Sequence, residues 1–376
     1  MIIMRILGIC RVAMLLAIAA FVLKPEAVAD DRVLAVRCIR AKQAELESPG
    51  AIIGVPLHIQ INTHNRIANA VTNYIGMISF DMFLNKNGKV GDLLLVYTNT
   101  FDNKTFTLDG QVRARILAVG GGGAGGPRGA SSPDRTTGIG GGGGGGGVVD
   151  MGTAENPIML YGGAYSVKVG AGGQGVAGYL NGFNGESSKI VYDKADWSAM
   201  PNVFYSNEII AYGGGGGAYA KNVGSAGASG GGGSAESSSV SKSGGACSPE
   251  AQLYANKGNP GGDGKHTGAG AGGGGAGGRG EDTQGLQKAG NGGEGYVSDI
   301  TGVMKEYAGG GGGGVYSGSY VGKGKGGGGN GNSRAGENGT GGGGGGAGRS
   351  NSASGRGGDG IVIIRLMPRN YMIDKQ

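Results

Sequence analysis

The segment GVYSGSYVGKGKG, from Gly314, places Tyr316, Tyr320, Lys323 and Lys325 among glycines. Tyrosine brings a rigid amphipathic ring, and lysine a mobile cation. On a loop this pairing suits recognition rather than bond-making. The longer segment Ser234–Asn259, which holds Cys247 and Tyr254, has the same character.

Residues able to make or break bonds are scarce. His58, His64 and His266 are the only histidines. The first two stand six apart without cysteine neighbours, which fits no metal-ligand spacing. In NKNGKVGD, taking Gly88 as the sixth position of a calcium loop puts Phe83 first and Leu94 twelfth, where oxygen ligands are required. Matches to GxGxxG are unavoidable in so glycine-rich a chain, and none opens a helix after a strand with an acid about 20 positions on. VGKGKGGGGN lacks the Ser or Thr that follows Gly-Lys in a phosphate loop. Asp134, Asp282 and Asp359 read as turn residues. No cofactor, metal or nucleic-acid site is expected, and the chain reads as non-enzymatic.

The first residues carry Arg5 and Arg11, an apolar run from Val12 to Leu23, and Ala27-Val28-Ala29 before two aspartates. This is the layout of a secretory signal peptide, with cleavage expected between Ala29 and Asp30. Twelve apolar residues are too few for a bilayer, which takes roughly 20. No later segment is long and apolar enough, so no membrane span is expected in the mature chain. Loss of residues 1–29 removes three basic residues and one acid, leaving a formal charge of +4 in place of +6. Cys10 leaves with the signal. Cys38 and Cys247 then remain as an even pair in an oxidising compartment, either bridged or as two thiols.

The elements that would position the loops follow from an abrupt change in composition. Seven of the 92 glycines precede Gly120, and none follows Gly360. Residues 30–103 read as a small β-rich region. IIGVPLHIQINT from Ile52 is rich in β-branched residues, and ISFDMFL and DLLLVYT flank Asn87-Gly88 as a hairpin. Ile67, Val71, Tyr74, Ile75 and Ile78 also fit helical spacing. Asp109-Gly110 reads as a turn before the strand ARILAV. Thereafter strands run straight into glycines: ARILAVGGGG, AYSVKVGAGG, NEIIAYGGGGG and, in reverse order, GGDGIVIIRL.

A tether has no reason to be joined repeatedly to strands. In polyproline II geometry a chain rises about 3.1 Å per residue with three residues per turn, and its N–H and C=O groups point outward. Where glycine fills every position such helices pack side by side and bond laterally, so buried backbone groups find partners. Runs of five to eight glycines, such as Gly140–Gly147, would form rods of roughly 15 to 25 Å.

RILAVGGGGAGG, YSVKVGAGGQG, IIAYGGGGGA and the closing GGDGIVIIRL resemble the glycine-rich domain of bacterial surface and phage tail-fibre proteins. That domain typically ends Gly-Gly-Ser-Gly-Ile-Val-Ile-Ile-Arg-Tyr; here Asp359 replaces the serine and Leu366 the tyrosine. The resemblance covers residues 104–366 and leaves 367–376 as a tail. It implies a mainly β fold: a jelly-roll-like β-sandwich joined to a bundle of polyglycine II helices, similar to the glycine-rich module of the anaplastic lymphoma kinase receptor.

The expected function is that of an exported surface protein whose rigid scaffold presents loops to a cell-surface glycan or protein. A subunit of an extracellular filament or matrix, binding copies of itself, is the main alternative. A phage-derived receptor-binding adhesin is another, although such adhesins do not as a rule carry a secretion signal. An ice-binding face would need a regular threonine array, which the glycine-rich region lacks.

Overall fold

The computed structural model describes residues 65–67, 70–72, 76–77, 92–108, 112–129, 138–193, 208–219, 222–234, 241–266, 268–285, 287–316, 320–348 and 353–367. All lie in one unit, Leu57–Ile78 with Asp92–Met367. The expected signal peptide, Ala29, Asp30, Cys38, His58, His64, Asp134 and the Asn87-Gly88 turn fall outside the described residues. So do residues 368–376 of the expected tail.

The unit is mainly β, and among the described residues its one helix is short. The larger sheet contains β1 (Asn65–Ile67), β2 (Ala70–Thr72), β4 (Leu93–Tyr97), β6 (Val112–Val119), β7 (Val148–Met151), β8 (Ile158–Leu160) and β14 (Ile361–Met367). Its order is β1-β2-β4-β14-β6-β7, with β8 also paired to β6. The second sheet, β11-β10-β9-β5-β3, contains β3 (Gly76–Met77), β5 (Lys104–Leu108), β9 (Gly163–Lys168), β10 (Ser188–Asp193) and β11 (Glu208–Ala211). A separate ribbon joins β12 (Tyr296–Ser298) to β13 (Lys305–Tyr307), and α1 spans Pro249–Leu253.

The strands β6 and β14 are apolar along most of their length because both of their faces are covered. They pair antiparallel from Ile361 opposite Val119 to Met367 opposite Arg113. One face carries Leu117, Val119, Ile361 and Ile363, packed against Ile300, Tyr307 and Ala308 of the ribbon region. In the second sheet Phe106, Leu108, Tyr165 and Val167 are buried, with the Phe106 and Tyr165 rings stacked at 4.8 Å.

Within the region that also fits helical spacing, the described residues form β1, β2 and β3. One expectation changes. Both edges of β4 are occupied, by β2 in parallel and β14 antiparallel, so neither is available to the expected Ile78–Leu84 partner. The β4–β14 ladder also places β4 in the same sheet as β6. The local turn signal was outweighed by long-range pairing of two apolar strands.

The glycine segments continue the strands outward from the sheets. Beyond Val119 the N–H groups of residues 120–126 follow a three-residue period. Gly120, Gly123 and Gly126 donate to Gly147, Gly144 and Gly141; Gly121 and Ala124 donate to Glu186 and Phe183; Gly122 and Gly125 donate to Gly358 and Gly355. The run Gly140–Gly147 has the same period. Its N–H groups reach three segments, at residues 341–347, 212–218 and 271–274, and its carbonyls accept from residues 120–126, 311–314 and 232. Every residue of the run is buried. A Cβ on Gly144 would stand 2.2 Å from the Ser229 carbonyl oxygen, so only glycine fits.

At the margins of this array side-chain amides replace the missing backbone neighbour. Asn184 Oδ1 accepts from Gly216 N at 2.8 Å while its Nδ2 donates to the Ala226 carbonyl at 3.1 Å. Asn181 Oδ1 accepts from Tyr219 N at 2.8 Å, three residues further along the same segment, and its Nδ2 donates to the Val223 carbonyl. Asn256 likewise joins Tyr212 N to the Ile210 carbonyl, both at 2.8 Å. A primary amide has the donor and acceptor of a peptide group, and here it takes that group's place.

Candidate binding surface

The glycine segments leave and return to the sheets, so their turns gather at the far end. Residues 120–126 leave β6 and residues 140–147 return antiparallel into β7, which puts Arg128 and Ile139 at that end. From there Gly314 donates to Gly140, Gly270 to Gly314, Gly290 to Gly270, and Ala347 to Gly126. Ser234 Oγ donates to the Ile139 carbonyl at 2.6 Å. Ala269, Ala289 and Val315 form a small buried cluster beneath the turns, with Val321 against it. This apex is therefore fixed by hydrogen bonds and packing, although its residues are scattered through more than half of the chain.

Two of the four residues expected to bind meet here. Tyr316 N donates to the Gly268 carbonyl at 2.9 Å, and the Arg128 guanidinium lies 5.6 Å from the centre of the Tyr316 ring. Tyr320 is 66% exposed; its carbonyl accepts from Ala289 N, and Lys288 Nζ lies 5.9 Å from its ring centre. Both distances fall within cation–π range.

The two lysines lie elsewhere. Lys323 is exposed on a flank, its N–H bonded to Asn291 Oδ1 at 2.8 Å. Lys325 lies nearer the sheets, where its N–H bonds the Gly310 carbonyl, and its ammonium pairs with Glu294. The hydrogen bond that Lys325 donates to Glu294 raises the Lys325 pKa. The apical cations are instead Arg128 and Lys288, which sequence spacing could not associate with tyrosines 188 and 32 positions away.

Two of the three aspartates read as turn residues, Asp282 and Asp359, have larger roles. Asp359 Oδ1 accepts from Gly172 N at 2.8 Å and from Arg356, while the Asp359 carbonyl accepts from Gly339 and Gly341. Asp282 accepts from Asp263 N at 2.8 Å and pairs with Lys265 and Arg279. His266 N bonds Thr283 Oγ1 at 3.0 Å. Cys247 is half-buried, and burial raises its pKa. Tyr254 packs its ring 5.8 Å from that of Tyr212.

Among the described residues no three His, Cys, Asp or Glu side chains are grouped to hold a metal ion. No helix among them is long and apolar enough to cross a membrane. No curated protein matches the chain. A family model described as a glycine-rich domain matches residues 98–367.

Proposed function

The chain belongs to the glycine-rich domain family, and from that premise we propose a non-enzymatic, exported surface protein whose scaffold presents its apical loops for adhesion or binding. The scaffold in this reading is a bundle of polyglycine II helices continuous with a jelly-roll-like β-sandwich. The observation that carries it is the three-residue period of the hydrogen bonds. A helix with three residues per turn points successive N–H groups at three neighbours about 120° apart, and Gly120–Gly126 and Gly140–Gly147 bond in that sequence.

The partner is a cell-surface glycan or protein, met by the Tyr320 ring and the cations of Arg128 and Lys288. Export begins with removal of residues 1–29, and Cys38 and Cys247 are then placed in an oxidising compartment where they can bridge. Binding of the secreted chain to glycan arrays and whole cells tests the reading. Wild type binds, and Tyr320→Ala with Lys288→Ala weakens binding without changing the melting temperature. Equal binding by both, or none by either, would overturn it.

The second reading, a filament subunit, rests on the exposed Tyr179, Leu180, Phe183 and Val223. Asn181 ties two of these chain stretches together by bonding the Val223 carbonyl. Light scattering on the secreted chain separates the two readings: a filament subunit does not stay monomeric.

A further inference from the structure

At the sheet end of the molecule a cleft of about 490 Å³ opens among Arg115, Asp150, Thr153, Asn156, Tyr296 and Asp299. Such a volume accommodates a small ligand. Arg115 lies on β6 and is only 6% exposed. Asp150 lies on β7 opposite Leu117, so it is a same-face diagonal neighbour of Arg115.

Part of this polar group is internally satisfied. Arg115 Nη2 bonds Asp299 Oδ1 at 2.8 Å, and Ser298 Oγ donates to Asp150 Oδ2 at 2.9 Å. Two buried atoms have no partner: Arg115 Nε, a donor, and Asp150 Oδ1, an acceptor. A buried donor or acceptor left unbonded is unfavourable, because it has given up water without gaining a partner.

The pair restricts what can complete it. An anion would bond Nε but be repelled by Asp150. An ammonium or a metal ion would suit Asp150 but be repelled by Arg115. A hydroxyl is neutral and can accept from Nε–H while donating to Oδ1. We propose that the cleft binds a polyhydroxylated ligand, a saccharide unit, through a hydroxyl held between Arg115 Nε and Asp150 Oδ1. Asn156 and Thr153 stand exposed at the rim for further hydroxyls, while Tyr296, whose ring packs on the core with Lys257 Nζ 5.2 Å from its centre, turns its hydroxyl toward Asp150. Both residues that carry the unpartnered atoms line the cleft, and the two atoms themselves are shielded from solvent. A ligand hydroxyl reaches them through rotation of the Arg115 and Asp150 side chains, since both residues line the cleft.

This site is separate from the apex and does not depend on the reading of apical binding. Saturation-transfer NMR on the full secreted chain, with glucose, galactose, mannose and N-acetylglucosamine as probes, tests it. At least one sugar should receive transfer from wild type and from Tyr320→Ala. Affinity should fall about tenfold or more in Asp150→Ala, the scale of a lost hydrogen bond to a charged group. Asn156→Ala, at the rim, should weaken binding severalfold and decides the question where Asp150→Ala does not fold. Absence of transfer to all four sugars, or equal transfer from wild type and the folded cleft variants, would mean that the cleft holds only water and overturn the proposal.

Discussion

Arg115 of β6 and Arg365 of β14 stand directly opposite each other in the antiparallel ladder. Like charges in that position destabilise a sheet. Each is countered from outside its strand: Arg115 Nη2 by Asp299 Oδ1 at 2.8 Å, and Arg365 Nε by Asp92 Oδ2 at 2.6 Å. The hydrogen bond from Arg115 holds the Asp299 carboxyl below the usual carboxylate range. Arg365 also donates to the Ile300 carbonyl at 3.2 Å, so the two arginines anchor the ribbon turn to the sheet.

Asp299→Asn should therefore lower the thermal midpoint by leaving a buried guanidinium without its counter-charge. Adding Arg115→Leu should restore part of the loss, because a buried charge without its partner is worse than no charge. Melting curves of the two variants check the order; a double variant less stable than Asp299→Asn would contradict it.

The surrogate peptide role of Asn256 gives a sharper case. Asn256→Asp keeps the acceptor for Tyr212 N but loses the donor to the Ile210 carbonyl and sets a carboxylate against it. Denaturant titration should show a loss of about 1 to 3 kcal/mol, the scale for an unsatisfied polar group. A change within error would mean that the amide is incidental to the array.

Much of this fold was legible in the sequence, because the junctions of strand and glycine in ARILAVGGGG and GGDGIVIIRL are local patterns. The β4–β14 ladder was not, since its residues lie some 270 positions apart and the Asn87-Gly88 signal pointed to a nearer partner. Asn181, Asn184 and Asn256 were also hidden: the sequence shows an asparagine in a loop, whereas its role depends on which segment lies beside it. At the apex, Tyr316 and Tyr320 were singled out from composition. Arg128 and Lys288 reach them only through the stacking of segments distant in sequence.

Asp282 gives the fold a pH dependence. Burial alone would raise its pKa, but the Asp263 N–H, Lys265 and Arg279 together outweigh burial and lower it. A depressed folded pKa means that ionisation stabilises the native state above the unfolded value, about 3.9, and that this is lost as pH falls through the folded value. Wild type should exceed Asp282→Asn in urea midpoint at neutral pH, and the difference should vanish in strong acid. A difference independent of pH would contradict this.

Substitution within the array should depend on position rather than on glycine content. A Cβ on Gly144 meets the Ser229 and Gly230 carbonyl oxygens at 2.2 and 2.8 Å, whereas one on Gly278 meets nothing closer than 3.4 Å. Gly144→Val should cost about 3 kcal/mol or more, at or above the usual range for overpacking. Gly278→Ala should leave the thermal midpoint nearly unchanged. Equal midpoints for both variants would contradict a packed array.

The most direct test of the central claim is amide hydrogen exchange along Gly140–Gly147. Every N–H in this run donates to a carbonyl of another segment, so all eight should exchange only through large-scale opening, as slowly as the amides of β6 and β14. Exchange of the run at the rate of an unprotected glycine peptide, while β6 and β14 stay protected, would show that it is a tether and that the scaffold reading is wrong.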